Sequence, residues 1–112
     1  VKVHIARALM TNPELMILDE PSVYLDLAGR EFLLKTIEEL AATRPDLTMI
    51  FITQRIEDIL PVFDCGMILK SGQIVASGSR DEVLTEENLK NAFDLDIQLI
   101  RTDKGRLWTV IR

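Results

Sequence analysis

Two short apolar runs constrain the fold of this chain more than any other feature of its sequence. The first covers residues 15–18, the second covers residues 47–53, and turn-forming or polar residues bound both. Runs of this length without polar alternation are typical of strands buried on both faces of a parallel sheet. Between them, residues 27–43 carry apolar side chains at helical spacing after Asp26, a candidate amino-terminal cap. The order strand, helix, strand predicts a βαβ unit with two parallel strands.

The rest of the sequence predicts further helices and an antiparallel flank. Prolines and glycines mark the ends of these segments, because proline cannot continue a helix and glycine suits tight turns. The predicted elements are helices over residues 2–10 and 56–60, a hairpin over 67–76, a helical stretch from a Ser79–Glu82 capping box through residue 93 with a restart at Thr85, and a hairpin over 97–111. The fold class is therefore α/β, with flanking helices around parallel strands and antiparallel hairpins towards the carboxy terminus.

Composition narrows the classes of function. The net charge is −5 and no stretch gathers lysine and arginine, so a nucleic acid is not expected as the main partner. The single cysteine, Cys65, cannot form an internal disulfide and is interpreted as a buried, inert thiol. The single histidine, His4, is interpreted as a solvated residue of the first helix. Every apolar run is far shorter than the roughly 20 residues that span a bilayer, which predicts a cytoplasmic location.

Two acids follow the first predicted strand directly. Asp19 and Glu20 precede Pro21, at the edge where open α/β sheets bind ligands. One carboxylate there can hold Mg²⁺ through its waters, and its neighbour can orient an attacking water. Acid pairs are also common in loops, where they merely cap the next element. The position of Asp26, six residues after Glu20, favours the chemical interpretation.

The same segment resembles the ATP-binding subunits of ABC transporters. The matching residues are Ile-Ala-Arg-Ala-Leu at 5–9, Asn-Pro-Glu-Leu-Met-Ile-Leu-Asp-Glu-Pro at 12–21 and Leu-Asp at 25–26. They resemble the stretch after the family's signature sequence, then its Walker B strand and its D-loop. Residues 52–59 take the place of the switch-histidine segment, and residues 67–93 resemble the hairpin and helix that follow it. The resemblance implies the second half of a P-loop NTPase domain, with residues 1–112 as the carboxy-terminal portion of one ABC ATPase domain.

The resemblance also implies roles for individual residues. Asp19 corresponds to the acid that supports Mg²⁺, and Glu20 to the catalytic carboxylate beside the attacking water. Gln54 stands at the position of the switch histidine, next to the γ-phosphate. Asp26 corresponds to the D-loop aspartate near the nucleotide, where two nucleotide-binding domains meet, although it can equally serve as a helix cap. The implied cofactors are ATP and Mg²⁺. The implied partners are a second nucleotide-binding domain and transmembrane permease subunits, on the cytoplasmic side of the membrane.

Three departures from the family pattern qualify this resemblance. The 112 residues contain neither a G-x-x-x-x-G-K-S/T phosphate loop nor a serine-glycine signature, and a truncated chain is the expected reason. Gln54 can donate an amide hydrogen bond but cannot carry charge or relay a proton. Val23 and Tyr24 replace the small residues common in the D-loop, and Tyr24 is either an interface contact or a packed aromatic.

The expected function is ATP hydrolysis that powers transport across a membrane. One alternative is a nucleotide-binding switch module with weak hydrolysis, of which Gln54 would be the mark. Another is a soluble ABC ATPase that acts on nucleic acid or the ribosome, which the acidic charge balance disfavours. The transported substrate and its direction depend on partners that this sequence does not encode.

Overall fold

The structure is a computed structural model that describes residues 2–112, with side chains from Ile5 onward, so the side chain of His4 lies outside the described residues. The chain divides into two compact units, one reaching Asp58 and one formed by Ile59–Arg112. The helices are α1 (Lys2–Met10), α2 (Leu27–Thr43), α3 (Arg80–Val83) and α4 (Glu86–Phe93), with a 3₁₀ turn at Ile56–Asp58. The strands are β1 (Leu15–Asp19), β2 (Thr48–Ile52), β3 (Cys65–Lys70), β4 (Gln73–Ser79), β5 (Ile97–Arg101) and β6 (Leu107–Ile111).

The first unit contains the predicted βαβ arrangement. Strands β1 and β2 pair in parallel, with Leu15 opposite Thr48 and Asp19 opposite Ile52. Helix α2 connects them, because parallel strands need a crossover of a dozen or more residues. The parallel pairing of these two strands is confirmed.

The prediction that both strands are buried on two faces is wrong for the described chain. Met16 is only 4% exposed, whereas Ile17 beside it is 58% exposed, and Ile50 on β2 is 45% exposed. Successive side chains of a strand point to opposite faces, so the sheet buries one face and leaves an apolar face open. Among the described residues, other elements cover only one face of this two-stranded sheet. The continuous apolar runs in the sequence predict that both faces are covered.

Helix α2 has the predicted bounds because local signals mark both of its ends. Asp26 has extended backbone, and its Oδ1 accepts a hydrogen bond of 2.7 Å from the Gly29 N–H. At the other end, the Arg44 N–H donates to the Leu40 carbonyl at 2.8 Å before Pro45 stops the helix. The buried side of the helix consists of Leu33, Leu34 and Ile37.

The second unit contains two antiparallel hairpins, β3–β4 and β5–β6, around the two short helices. Ser71 and Gly72 both have positive φ in the first turn, as a tight two-residue hairpin requires. Thr85 restarts the helical stretch as predicted, since its hydroxyl accepts from the Asn88 N–H at 3.2 Å. Both hairpins and the restart are confirmed.

Two details of this unit differ from the sequence-based predictions. Ser79 caps α3 and Glu82 reaches back to it as predicted, but the donor to the Glu82 carboxylate is the Ser79 hydroxyl, at 2.9 Å, where a capping box uses the backbone N–H. Cys65 is exposed rather than buried, because burial alternates along β3 and its first position lies on the open face. Among residues 2–112, no helix combines the length and the apolar character needed to cross a membrane.

Candidate functional site

The carboxyl ends of β1 and β2 bring three predicted site residues to one edge of the sheet. Asp19 is the last residue of β1 and pairs with Ile52, the last residue of β2. Glu20 and Gln54 follow these strand ends by one and two residues. Because the strands are parallel, both ends lie at the same edge. The predicted juxtaposition of the acids with Gln54 is therefore confirmed, while their chemical roles stay predictions.

The backbone of Glu20 is held in an unusual conformation. Its φ is 45°, in the left-handed region that a residue with a side chain enters at a cost of about 1–3 kcal/mol. Its N–H donates to the Ile52 carbonyl at 2.7 Å, which extends the ladder between the strands by one residue. Its carbonyl accepts from the Val23 N–H at 3.3 Å. These bonds fix the direction in which the Glu20 side chain leaves the sheet.

A small cavity lies between the loops that follow β1 and β2. Its volume is about 170 Å³, and it is lined by Glu20, Ser22, Val23, Thr53, Gln54 and Arg55. The lining thus includes one acidic residue, Glu20, from the first loop and one amide residue, Gln54, from the second. Its described lining does not include Asp19 or Asp26, both of which are exposed. A water or a phosphoryl oxygen in this cavity could contact Glu20 and Gln54 together.

Asp26 and Tyr24 lie in the loop between β1 and α2. The carboxylate of Asp26 caps α2, so the helix-cap role is present in the structure. Its nucleotide role stays a prediction. Tyr24 is 96% exposed, which shows that it is not a packed aromatic within the described chain. The interface contact of Tyr24 stays a prediction.

The sequence gives almost no signal for a buried acid near this site. Asp58 is fully buried and accepts a hydrogen bond of 2.5 Å from the Ser22 hydroxyl. Arg30 and Arg55 place their Nε atoms 3.6 Å and 3.8 Å from its two oxygens. The only hint in the sequence is the spacing of Arg55 and Asp58, three residues apart. Glu57 and Asp58 together look like the solvated face of a short helix.

The second unit holds a larger cavity, of about 380 Å³, that contains none of the predicted site residues. It is lined by Pro61, Phe63, Asp64, Ser79, Arg80, Asp81, Arg101 and Gly105. The Arg80 guanidinium donates to the carbonyls of Ile59 and Gly105, at 2.9 Å and 3.3 Å. Burial lowers the pKa of Arg80 from its usual value, and the nearby Arg101 lowers it further. Arg80 therefore connects the backbone at Ile59 with the turn at Gly105.

The donor set at the sheet edge fits Mg²⁺ shared with a phosphate. Within the described part of the chain, no group of three or more His, Cys, Asp or Glu residues is arranged to hold a metal ion. Mg²⁺ keeps several waters and is usually bound by one or two carboxylates together with substrate phosphates. Asp19 at the end of β1 supplies one such carboxylate, so the residues present suit this ion in such a shared site.

Comparisons with known proteins agree with this arrangement. No family model matches the chain. An uncharacterised ABC transporter ATP-binding protein of Bacillus subtilis, YlmA, is 45% identical over 96 residues, which cover 86% of this chain and 36% of the relative. An ABC transporter ATP-binding protein of Streptococcus mutans is 34% identical over 104 residues, which cover 93% of the chain and 40% of the relative.

A solved structure extends the similarity to the fold. It is described as a metal-chelate type ABC transporter in an inward-facing conformation. The match has a TM-score of 0.79 and 27% identity and covers 96% of this chain and 43% of the other. The chain thus spans about two fifths of the relatives it matches. With its mixed strands and antiparallel hairpins it corresponds to the carboxy-terminal part of the ATPase domain, and the chain belongs to the ABC transporter ATP-binding proteins.

Proposed function

We propose that the protein containing this chain hydrolyses ATP to power transport across a membrane. The observation that carries the proposal is the shared cavity at the carboxyl edge of β1 and β2. Gln54 and Glu20, which lies one residue beyond Asp19, both line it. The similarity to ABC transporter ATP-binding proteins supports the same activity.

The residues at this edge suit a division of labour in phosphoryl transfer. ATP supplies the transferable γ-phosphoryl group, and Mg²⁺ neutralises part of its charge. Asp19 would hold the ion through its waters. Glu20, fixed by its backbone bonds, would orient and polarise the attacking water. Gln54 would donate its amide N–H towards a phosphoryl oxygen from the opposite wall of the cavity.

Two exposed residues of the loop after β1, Val23 and Tyr24, support a proposal about partners. Tyr24 is almost fully exposed and Val23 is 59% exposed, although both are bulky. Exposed apolar residues of this kind mark contact surfaces. We assign this loop to a contact with a second nucleotide-binding domain, where Asp26 would lie near the nucleotide. The domain pair would act on transmembrane permease subunits from the cytoplasmic side.

The comparisons support neither alternative function. The relatives described above are ABC transporter ATP-binding proteins, and no relative among them acts on nucleic acid or the ribosome by its description. The switch module with weak hydrolysis rests on Gln54 alone. The transport ATPase is therefore the function that the site supports best.

Replacement of Glu20 tests this proposal in the full-length protein. Glu20→Gln keeps the shape of the side chain but removes the base, so steady-state phosphate release is expected to fall about 10²- to 10⁴-fold. Nucleotide binding, measured by calorimetry with Mg-ATP, is expected to persist. The matched control is Glu38→Gln, an exposed acid of α2. If Glu20→Gln released phosphate at the wild-type rate, the result would contradict the proposal.

A further inference from the structure

We propose that Asp58 is a positioning residue that sets the spacing between Glu20 and Gln54. Asp58 lies in the 3₁₀ turn after β2 and is fully buried. It binds the loop that follows β1 and the loop that follows β2, which form the two walls of the candidate cavity. This inference rests on the proposed ATPase function and goes beyond it by adding a residue that touches no reacting group.

The first link runs from Asp58 to the loop that carries Glu20. The Ser22 hydroxyl donates to Asp58 Oδ2 at 2.5 Å across 36 residues of sequence. Ser22 is itself buried, at 4% exposure, and lies two residues after Glu20. A short hydrogen bond to a carboxylate is among the strongest that a neutral donor makes. Burial of both partners protects it from competition by water.

The second and third links are ion pairs. Arg55 Nε lies 3.8 Å from Asp58 Oδ2, and Arg55 is the residue next to Gln54. Arg30 Nε lies 3.6 Å from Asp58 Oδ1, which ties the first turns of α2 to the same carboxylate. Oδ1 is buried and has no hydrogen-bond partner among the described residues. The carboxylate therefore depends on the two guanidinium charges, because an unpaired buried charge is strongly unfavourable.

The links of Asp58 bear on function because its partners line the candidate cavity. Ser22 and Arg55, the partners of Asp58, line the cavity together with Glu20 and Gln54. A change at Asp58 would shift one wall relative to the other without removing either reacting side chain. Misplacement of a catalytic group by about 1 Å can lower a rate about 10²-fold. Loss of the Asp58 links should thus slow hydrolysis while ATP still binds.

The test uses the full-length protein and compares Ser22→Ala, Asp58→Asn and the double variant. Each single variant is expected to lower kcat at least about tenfold, with the KM for ATP changed less than about twofold. The bond between Ser22 and Asp58 is altered in either single variant, so the double variant should lose no more kcat than the more impaired of the two single variants. Ser22→Thr keeps the hydroxyl and is expected to retain kcat within about threefold.

Matched controls separate positioning from general destabilisation. Ser77→Ala and Asp103→Asn make the same chemical changes at exposed sites. They should leave kcat unchanged. If Asp58→Asn does not fold, Ser22→Ala and Ser22→Thr still decide the question, since they leave the buried charges paired.

Several results would overturn the inference. One is an unchanged kcat in Ser22→Ala, and another is a double variant whose loss equals the sum of the single losses. A third is a loss of activity in Ser22→Thr as large as that in Ser22→Ala. A wild-type protein that does not hydrolyse ATP would contradict the proposed function and this inference with it. Normal wild-type hydrolysis with an unaffected Ser22→Ala would contradict the inference alone.

Discussion

At the scale of single residues, the candidate site combines an acid, Glu20, with a neutral amide, Gln54. Glu20 can polarise a water, whereas Gln54 offers only a neutral amide to the phosphoryl oxygens. A hydrogen bond that involves an ionised partner is roughly twice as strong as a neutral one. The wall formed by Gln54 is therefore the weaker contributor to charge stabilisation.

The change Gln54→His in the full-length protein is expected to raise the hydrolysis rate. An imidazole can add charge-assisted stabilisation or relay a proton, a gain of about one to a few kcal/mol or about ten- to a thousandfold. ATP-dependent dimer closure should persist, because both side chains can donate to a phosphate. Steady-state phosphate release measures the difference. Gln98→His, an exposed position on β5, is the control. An unchanged or lower rate in Gln54→His would contradict the prediction and would mean that another residue compensates for Gln54 or that Gln54 is suited to its role.

Residues at this site differ in how far the sequence predicts them. The common edge of Asp19, Glu20 and Gln54 follows from the order of strands and helices. That order predicts two parallel strands, whose carboxyl ends lie at the same edge of the sheet. Asp58 could not be predicted, because its burial depends on Ser22 and Arg30, which are distant in sequence. Adjacent acids in a short turn are ordinarily solvated. Contacts between distant residues leave no local pattern.

At the scale of elements, bounds are more predictable than burial. The ends of α2, the Thr85 restart and the turn at Gly72 carry local signals, and the structure places the elements there. The open faces of β1 and β3 carry apolar residues that local reasoning assigns to a core. Whether such a face is covered depends on helices or strands from other parts of the sequence, which a pattern within one strand cannot reveal.

Removal of the Asp26 cap should weaken α2. A synthetic peptide that covers residues 24–45 isolates this effect from any role near the nucleotide. Asp26→Ala loses the bond to the Gly29 N–H and is expected to cost about 0.5–2 kcal/mol, with peptides at the low end. Circular dichroism at neutral pH measures the helical fraction. Asp26→Asn keeps a capping oxygen and should retain most of the helicity, so equal losses in the two peptides would contradict the assignment.

The turn between α2 and β2 predicts a specific pH dependence. Arg44 donates hydrogen bonds to both oxygens of Asp46, at 3.3 Å and 3.4 Å. These bonds hold the pKa of Asp46 below its usual value of 3.8. A depressed folded pKa adds stability above the unfolded pKa, and that stability is lost as the pH falls through the folded pKa. The Asp46 side chain is 70% exposed, so solvent screens the pair.

The change Arg44→Gln in the full-length protein should raise the pKa of Asp46 towards 3.8. NMR titration of labelled aspartate carboxyl carbons below pH 5 measures the shift. High salt should bring the wild-type value closer to that of the variant, because screening weakens exposed pairs. An Asp46 pKa that is the same in both proteins would show that Arg44 does not set it.

At the scale of the whole molecule, the described chain is rich in sheet edges and open faces. It contains three sheets of two strands each. Such small sheets are marginally stable unless other elements cover them. One face of β1 and β2 exposes Ile17 and Ile50, and the chain spans about two fifths of the relatives it matches. Within the described part of the chain this face is uncovered.

The 112-residue chain on its own should neither bind ATP tightly nor hydrolyse it. Its sequence contains no glycine-rich loop with a lysine, whose backbone amides and charge supply most of the grip on the phosphates. Asp19 and Glu20 would repel a triphosphate that lacks those counter-charges. Calorimetry with Mg-ATP provides the measurement, and the full-length protein is the positive control. Circular dichroism must first show helices and strands, so that weak binding is not caused by unfolding. Micromolar binding by the folded 112 residues would contradict this prediction and would place the main phosphate contacts within this chain.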